Sequence, residues 1–164
     1  MADDQHDAPP LRPQKRGRKI AMTDAERDDF LAGERTCRVA TLGLDGPHAT
    51  PLWFAWDGSC LWLYSIQRSQ RWADLECDPR ISAVVDAGTE YFELRGVEIT
   101  GRAEPVGELP RTGAPDAALV EVERIFGGKY LAENNGEMFH DLRHGWLRIT
   151  PTKITSWDFR KLGK

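Results

Sequence analysis

The sequence lacks any apolar run near the roughly 20 residues that a membrane helix needs. Its first residues also lack the apolar core of a secretory signal. Neither a membrane span nor export is expected, so the expected location is the cytoplasm. Cysteine is scarce: Cys37, Cys60 and Cys77 are odd in number and widely spaced. That excludes an evident disulfide framework or a metal-ligand spacing, and fits half-buried thiols in a reducing compartment. A basic excess is missing too, with 22 Lys and Arg against 26 Asp and Glu and a formal net charge of -4. Nucleic-acid backbones reward a basic footprint, so a nucleic-acid partner is not expected. No internal repeat and no second domain are visible. Residues 1–19 are polar, proline-bearing and non-periodic and read as a flexible arm. Residues 20–164 read as a single domain.

What is present is a chain long enough for one core and six tryptophans to wall it. Thr23 and Glu26 have the spacing of a capping box, so a helix starts there, with Phe30 and Leu31 on its inner face. "TCRVATLGL", "ATPLWFAW" and "SCLWLYS" read as strands separated by Asp-Gly turns. Pro51 inside the second marks a sheet edge or a bulge, because proline has no amide to donate. A short helix follows up to Pro79. "ISAVVDAG" is a fourth strand, and "EYFELRGVEITGRAEPVG" gives one long strand or two, bent near Gly96 or Gly101. "PDAALVEVERIFGG" predicts a helix capped by Asp116 and stopped by Gly127-Gly128. "WLRITP" and "KITSWDF" close the chain as two strands. The count predicts a mainly β protein, a small β-barrel with flanking helices.

"YSIQRSQRW", residues 64–72, places hydroxyls and arginines where a strand becomes a helix. The first turn of a helix presents unpaired amides with a partial positive charge. Ser65, Ser69, Gln70 and Arg71 around it make a phosphate cradle. Taken alone, the same residues also read as a serine cap with two arginines on a wet face. The neighbouring "HATPLWFAW" offers a bulky wall for a flat heterocycle, with backbone groups near Thr50 to Trp53 at its rim. Together the two features point to a phosphorylated aromatic cofactor.

Four stretches in register, "RVATLGLDGPHATPLWFAWDG", "YSIQRSQRWADLECDPRISAVV", "ELRGVEITGRAE" and "KITSWDF", carry a resemblance to the flavin/deazaflavin oxidoreductases with a split β-barrel. These are the pyridoxamine 5'-phosphate oxidase-like proteins. The branch most resembled is the actinobacterial one that uses the deazaflavin coenzyme F420. The resemblance implies a homodimer with cofactor sites at the subunit interface and a hydride transferred to or from a small conjugated substrate. It puts the cofactor phosphate at Ser65, Ser69 and Arg71, with Gln70 and Trp72 adjacent, and the ring beside Thr50, Pro51, Leu52 and Trp53. It brings Trp157 near the site, from the same chain or the partner subunit. Two positions depart from relatives: Arg71 stands where a lysine is common, and Asp74 where an asparagine is. FMN is the alternative cofactor, and a cofactor-binding protein without turnover the alternative role.

No pair of carboxylates and no nucleophile-base set demands assignment, so no catalytic side chain and no metal ligand is expected. His48 reads as an exposed strand-end residue. His140 and His144 are four apart but lack a third ligand. Lys129 and Tyr130 border the pocket mouth or lie on the surface, and Arg95 pairs with Glu93 or Glu98 on the sheet.

Overall fold

The structure, a computed structural model, describes residues 10–163. Seven strands and three α-helices follow one another along the described residues: α1 (Asp24–Gly33), β1 (Cys37–Gly43), β2 (Gly46–Leu52), β3 (Ala55–Trp56), β4 (Leu61–Ile66), α2 (Gln70–Cys77), β5 (Arg80–Ala87), β6 (Arg95–Val106), α3 (Val120–Tyr130) and β7 (His144–Asp158). Among the described residues these seven strands pair only antiparallel, in the order β2-β1-β5-β6-β7-β4-β3. Alternate residues of a strand face opposite sides of its sheet. Here the inward set runs from Val39 of β1 through Val85, Val97 and Ile149 to Leu63 of β4 and Trp56 of β3, all in one buried cluster. A sheet whose opposite edges feed the same core is curled into a barrel. The barrel is split, because β2 and β3 form the two ends of the sheet order. Among the described residues, no helix is long and apolar enough to cross a membrane.

α1 closes one side. The Thr23–Glu26 capping box forms with both bonds in place, and Phe30 and Leu31 are buried as expected. Trp56 Nε1 donates to Asp28 Oδ1 at 2.8 Å, tying the helix to β3. A second apolar cluster lies outside the barrel, where Val122 and Phe126 of α3 cover Trp62 and Trp146. The arm expected over residues 1–19 falls partly outside the described residues. Its described part lies against β7: Arg12 N donates to Thr152 O at 2.9 Å, and Gln14 exchanges two bonds with the Ser156 backbone.

Several expected elements take other bounds. "ATPLWFAW" is not one strand: β2 ends at Leu52 on one edge, and the chain reappears as β3 on the other. Trp53 and Phe54 span the split between them. "WLRITP" and "KITSWDF" are one strand, β7, which pairs with β6 through Pro151. That proline sits opposite Gly101 beside the one irregularity of the ladder, where a missing amide breaks nothing. α3 runs through Gly127-Gly128 to Tyr130 instead of stopping there. Gly127 serves close approach: a Cβ on it would lie 1.8 Å from Gly136 O. Asp116 accepts from Ala118 N at 2.9 Å, but it caps only a turn ahead of the helix. Arg95 approaches Glu34 at the end of α1, at 3.9 Å, rather than Glu93 or Glu98.

Candidate functional site

α2 delivers a cation to the split. Its buried face carries Arg71, Trp72, Asp74 and Leu75, and Trp72 and Leu75 anchor it in the barrel core. Arg71 then reaches between the two sides of the opening. Its Nε and Nη2 donate to Ser65 Oγ at 3.3 and 3.1 Å, and its Nη1 donates to Thr50 Oγ1 at 2.7 Å. Thr50 belongs to the edge strand β2. Ser65 belongs to the part of β4 that extends beyond its pairing with β3. Three residues expected at the site are thus brought together.

Arg71 is 6% exposed, and among the described residues no carboxylate lies within salt-bridge distance of it. Burial lowers its pKa from the ordinary arginine value, partly offset by the neighbouring Cys37. The Cys37 thiol itself is pushed up to about 12 by burial. A buried charge without a counter-charge is costly. Thr50 and Ser65 accept from the guanidinium, so each keeps its own O–H to give. A guanidinium with two hydroxyl donors is the donor set of an anionic oxygen group, so the residues present fit the phosphate of a cofactor.

Other expected members stand apart. Ser69 caps α2, its Oγ accepting from Trp72 N at 3.2 Å. Gln70 donates to Asp74 Oδ1 at 2.8 Å, away from Arg71. Trp72 is a core residue, its Nε1 bonded to Glu76 and its ring close over Gly145. Trp157 sits at the opposite end of β7 from Gly145, the partner of Ser65, and lies over Gly96. A single chain does not bring it to Arg71. The Asp74 carboxylate faces the β1–β2 hairpin, accepting from Gln70 and, at 2.7 Å, from Thr41 Oγ1. These bonds hold its carboxyl below the usual range. His48, expected to be exposed, is half-buried: its side chain is 36% exposed, with Nδ1 3.5 Å from Asp74 Oδ2.

Pro51, Leu52 and Trp53 do form a wall. They line a cavity of about 560 Å³, with Tyr64, Phe126 and His144 on other sides. Pro51 and Tyr64 each follow or precede a cradle residue on its strand and so face the other way. The Arg71 cradle and the aromatic cavity thus rest on adjoining residues of β2 and β4. Trp53 stacks on Tyr130 with centroids 4.5 Å apart and planes 8° from parallel. The Tyr130 hydroxyl accepts from Phe54 N at 3.1 Å and lies 2.9 Å from the carbonyl oxygens of Phe54 and Arg35, which pins the crossing segment. Lys129 turns away from the cavity: its Nζ donates to Leu31 O at 2.8 Å and lies 3.9 Å over the Phe54 ring. Sequence reasoning missed Tyr64, Phe126 and the 138–144 stretch as cavity walls. Only the alternation of β4 carried a signal, since Tyr64 sits beside Ser65. His140 and His144 do not form a metal pair; His144 bonds Asp141, and among the described residues no group of three or more His, Cys, Asp or Glu is placed to hold a metal.

A family profile described as pyridoxamine 5'-phosphate oxidase matches residues 23–158, and the chain belongs to that family. It has the FMN/F420-binding split-barrel fold of the superfamily. Among solved structures, a conserved hypothetical protein of Mycobacterium tuberculosis is 33% identical, with a TM-score of 0.74 over 93% of this chain and 94% of that one. An FAD-binding protein of Mesorhizobium loti is 18% identical, with a TM-score of 0.63 over 83% and 93%. An F420 reductase is 20% identical, with a TM-score of 0.55 over 77% and 94%. These last two are similar in fold. No curated protein matches the chain.

Proposed function

We propose that this member of the pyridoxamine 5'-phosphate oxidase family is a cytoplasmic oxidoreductase that uses a flavin-type cofactor, coenzyme F420 in preference to FMN. The observation that supports this reading is the buried Arg71 guanidinium, without a carboxylate, held by Thr50 and Ser65 beside the cavity walled by Pro51, Leu52 and Trp53. When bound, the ring supplies two-electron hydride chemistry to a small conjugated substrate. The chain's own residues bind and orient. Arg71 holds the phosphate by charge-assisted bonds, and the Thr50 and Ser65 hydroxyls add donors. Pro51 to Trp53 support one face of the ring, and the aromatic walls exclude water. We further propose a homodimer with two such sites at its interface, in which the partner subunit's Trp157 completes the site that one chain leaves without it.

Fluorescence titration with the deazaflavin and with FMN, on wild type and Arg71→Ala, tests this. The expected result is tight deazaflavin binding, weaker FMN binding, and loss of affinity in the variant. Negligible binding of both cofactors would overturn the reading. Tight FMN binding with weak deazaflavin binding would move it to the FMN oxidases and reductases of the same fold. Binding without turnover of any conjugated acceptor would leave a cofactor-binding protein.

A further inference from the structure

The cavity beside Pro51–Trp53 contains a histidine–carboxylate pair that cofactor binding does not use. Apart from Thr36 and Tyr64, its lining is apolar or aromatic except for Asp141 and His144. His144 Nδ1 lies 2.9 Å from both carboxylate oxygens of Asp141. Its ring stacks on Tyr64, with centroids 4.8 Å apart and planes 19° from parallel. The bend between the two residues sets this geometry: Leu142 adopts φ 59°, and Arg143 N donates back to Asp141 Oδ1 at 3.0 Å. The Asp141 carboxyl is held below its usual range, first by the bond from His144. Among the described residues, His144 Nε2 has no hydrogen-bond partner.

An imidazole whose Nδ1–H is committed to a carboxylate presents Nε2 as the atom that gives or takes a proton. We propose that Asp141 and His144 form a proton-transfer dyad in this cavity, and that the cavity takes a planar, uncharged, conjugated carbonyl compound whose oxygen bonds His144 Nε2. The proposal rests on the oxidoreductase reading: a reduced deazaflavin or flavin would supply the substrate's carbon with a hydride, which carries both electrons. The dyad supplies the remaining proton. The Nε2–H bond breaks, an O–H bond forms at the substrate oxygen that has become negative, and the imidazolium becomes neutral imidazole. Asp141 is a positioning residue that fixes the tautomer and stabilises the imidazolium. The apolar lining disfavours substrates that carry a charge anywhere but at His144 Nε2. The flat Trp53 and Tyr64 rings favour planar ones. Tyr64 does not compete as a donor, since burial, then Asp141 and Glu123, push its hydroxyl up to about 12. That hydroxyl is also engaged by Phe139 O at 3.1 Å. Arg111, the remaining charge felt by Tyr64, is paired with Glu123 and Glu108.

The test uses cofactor-free protein and 4-nitrophenol, whose coloured phenolate mimics the enolate oxygen, with 4-nitroanisole as a probe of the same shape that has no ionisable oxygen. Wild type is expected to bind 4-nitrophenol with its ionisation shifted toward phenolate, and to move the His144 ring-nitrogen resonances. His144→Phe keeps an aromatic ring against Tyr64. It is expected to weaken phenolate binding at least about tenfold, the loss of one charged hydrogen bond, and to leave 4-nitroanisole binding unchanged. Asp141→Asn is expected to change the His144 tautomer signature and to weaken phenolate binding in part. Equal binding of 4-nitrophenol to wild type and His144→Phe, or His144 resonances unmoved by the probe, would overturn the dyad. Because neither cofactor is present, the two readings fail separately. A protein that binds the probe through His144 but binds neither cofactor keeps the dyad and loses the oxidoreductase reading. One that binds a cofactor but handles the probe without His144 loses only the dyad.

Discussion

Arg71 Nη1 donates to Thr50 Oγ1 over 2.7 Å, and that bond ties α2 to the edge strand β2 across the split of the barrel. The same guanidinium holds Ser65 on the other side. A cation in this position is a poor stabiliser, because it is buried with hydroxyls alone for partners. It is a good anion receptor for the same reason.

Replacing it should therefore separate stability from binding. Arg71→Met removes a buried charge and keeps most of the side-chain volume, a change that is often neutral or stabilising. The expected unfolding free energy is within about 1 kcal/mol of wild type or above it. Cofactor affinity should fall by roughly 1.5–3 kcal/mol, the scale of a charged hydrogen bond. Urea denaturation alongside fluorescence titration reads both numbers. A variant that loses stability and keeps affinity would make Arg71 a structural clasp.

Adjacent glycines in α3 should respond with opposite signs. Alanine is better than glycine inside a helix by about 1 kcal/mol. Gly128 is exposed with nothing near its missing side chain, so Gly128→Ala should stabilise by up to that amount. At Gly127 the new Cβ would lie 1.8 Å from Gly136 O, a backbone atom that cannot swing aside. Gly127→Ala should destabilise by about 1–3 kcal/mol and displace the segment that supplies Met138 and Phe139 to the cavity wall. Thermal unfolding of the two variants checks the reversal.

Lys129 gives a pH signature. Burial against Phe54 lowers its amine to about 8 from an ordinary 10.5, with Cys37 acting in the opposite direction. Between those values the unfolded chain holds a proton that the folded chain does not, so stability rises with pH. The rise begins near pH 8. From about pH 9 the buried Cys37 thiol works against it, because the folded thiol keeps its proton up to about 12. Stability measured between pH 8 and 9 should climb in wild type and stay flat in Lys129→Met. Parallel profiles would place the ammonium in water.

The parts of this protein that follow from local pattern were legible in its sequence. The α1 capping box, the alternation of β1, β4 and β5, and the Ser69 start of α2 are set by neighbours a few residues apart. Arg71 and Ser65 were legible as anion-seeking residues and Thr50 only as a neighbour of the ring; the bond that joins Thr50 to Arg71 depends on how far the sheet curls. Where the sequence misled, a long-range approach decided the matter. Gly127 reads as a helix stop until Gly136 is seen against it. Trp72 reads as a cofactor neighbour until its ring is found over Gly145 in the core. The cavity walls at Tyr64, Phe126 and His144 come from three distant elements and share no local signature. Trp157 lies at the far end of β7 from the partner of Ser65, a separation that only the strand pairing reveals.

Asp74 offers the last test, because an acid next to a phosphate cradle should matter in one of two ways. Had it faced Arg71, it would have neutralised the cation, and its removal would tighten anion binding. It faces the β1–β2 hairpin instead, with Gln70 and then Thr41 holding its carboxyl below the usual range. A carboxylate depressed on folding contributes stability that is present above its unfolded pKa, near 3.9, and lost as pH falls through the lower folded value. Asparagine keeps an acceptor for Thr41 but carries no charge and leaves Gln70 with a weaker partner. Asp74→Asn should be less stable than wild type at neutral pH. The gap should close as the pH drops below about 4, while cofactor affinity changes little compared with Arg71→Ala. Acid-range denaturation and the same fluorescence titration measure the two arms. Asp74→Asn that binds cofactor markedly tighter would return this carboxylate to the cradle and make Arg71 half of an ion pair.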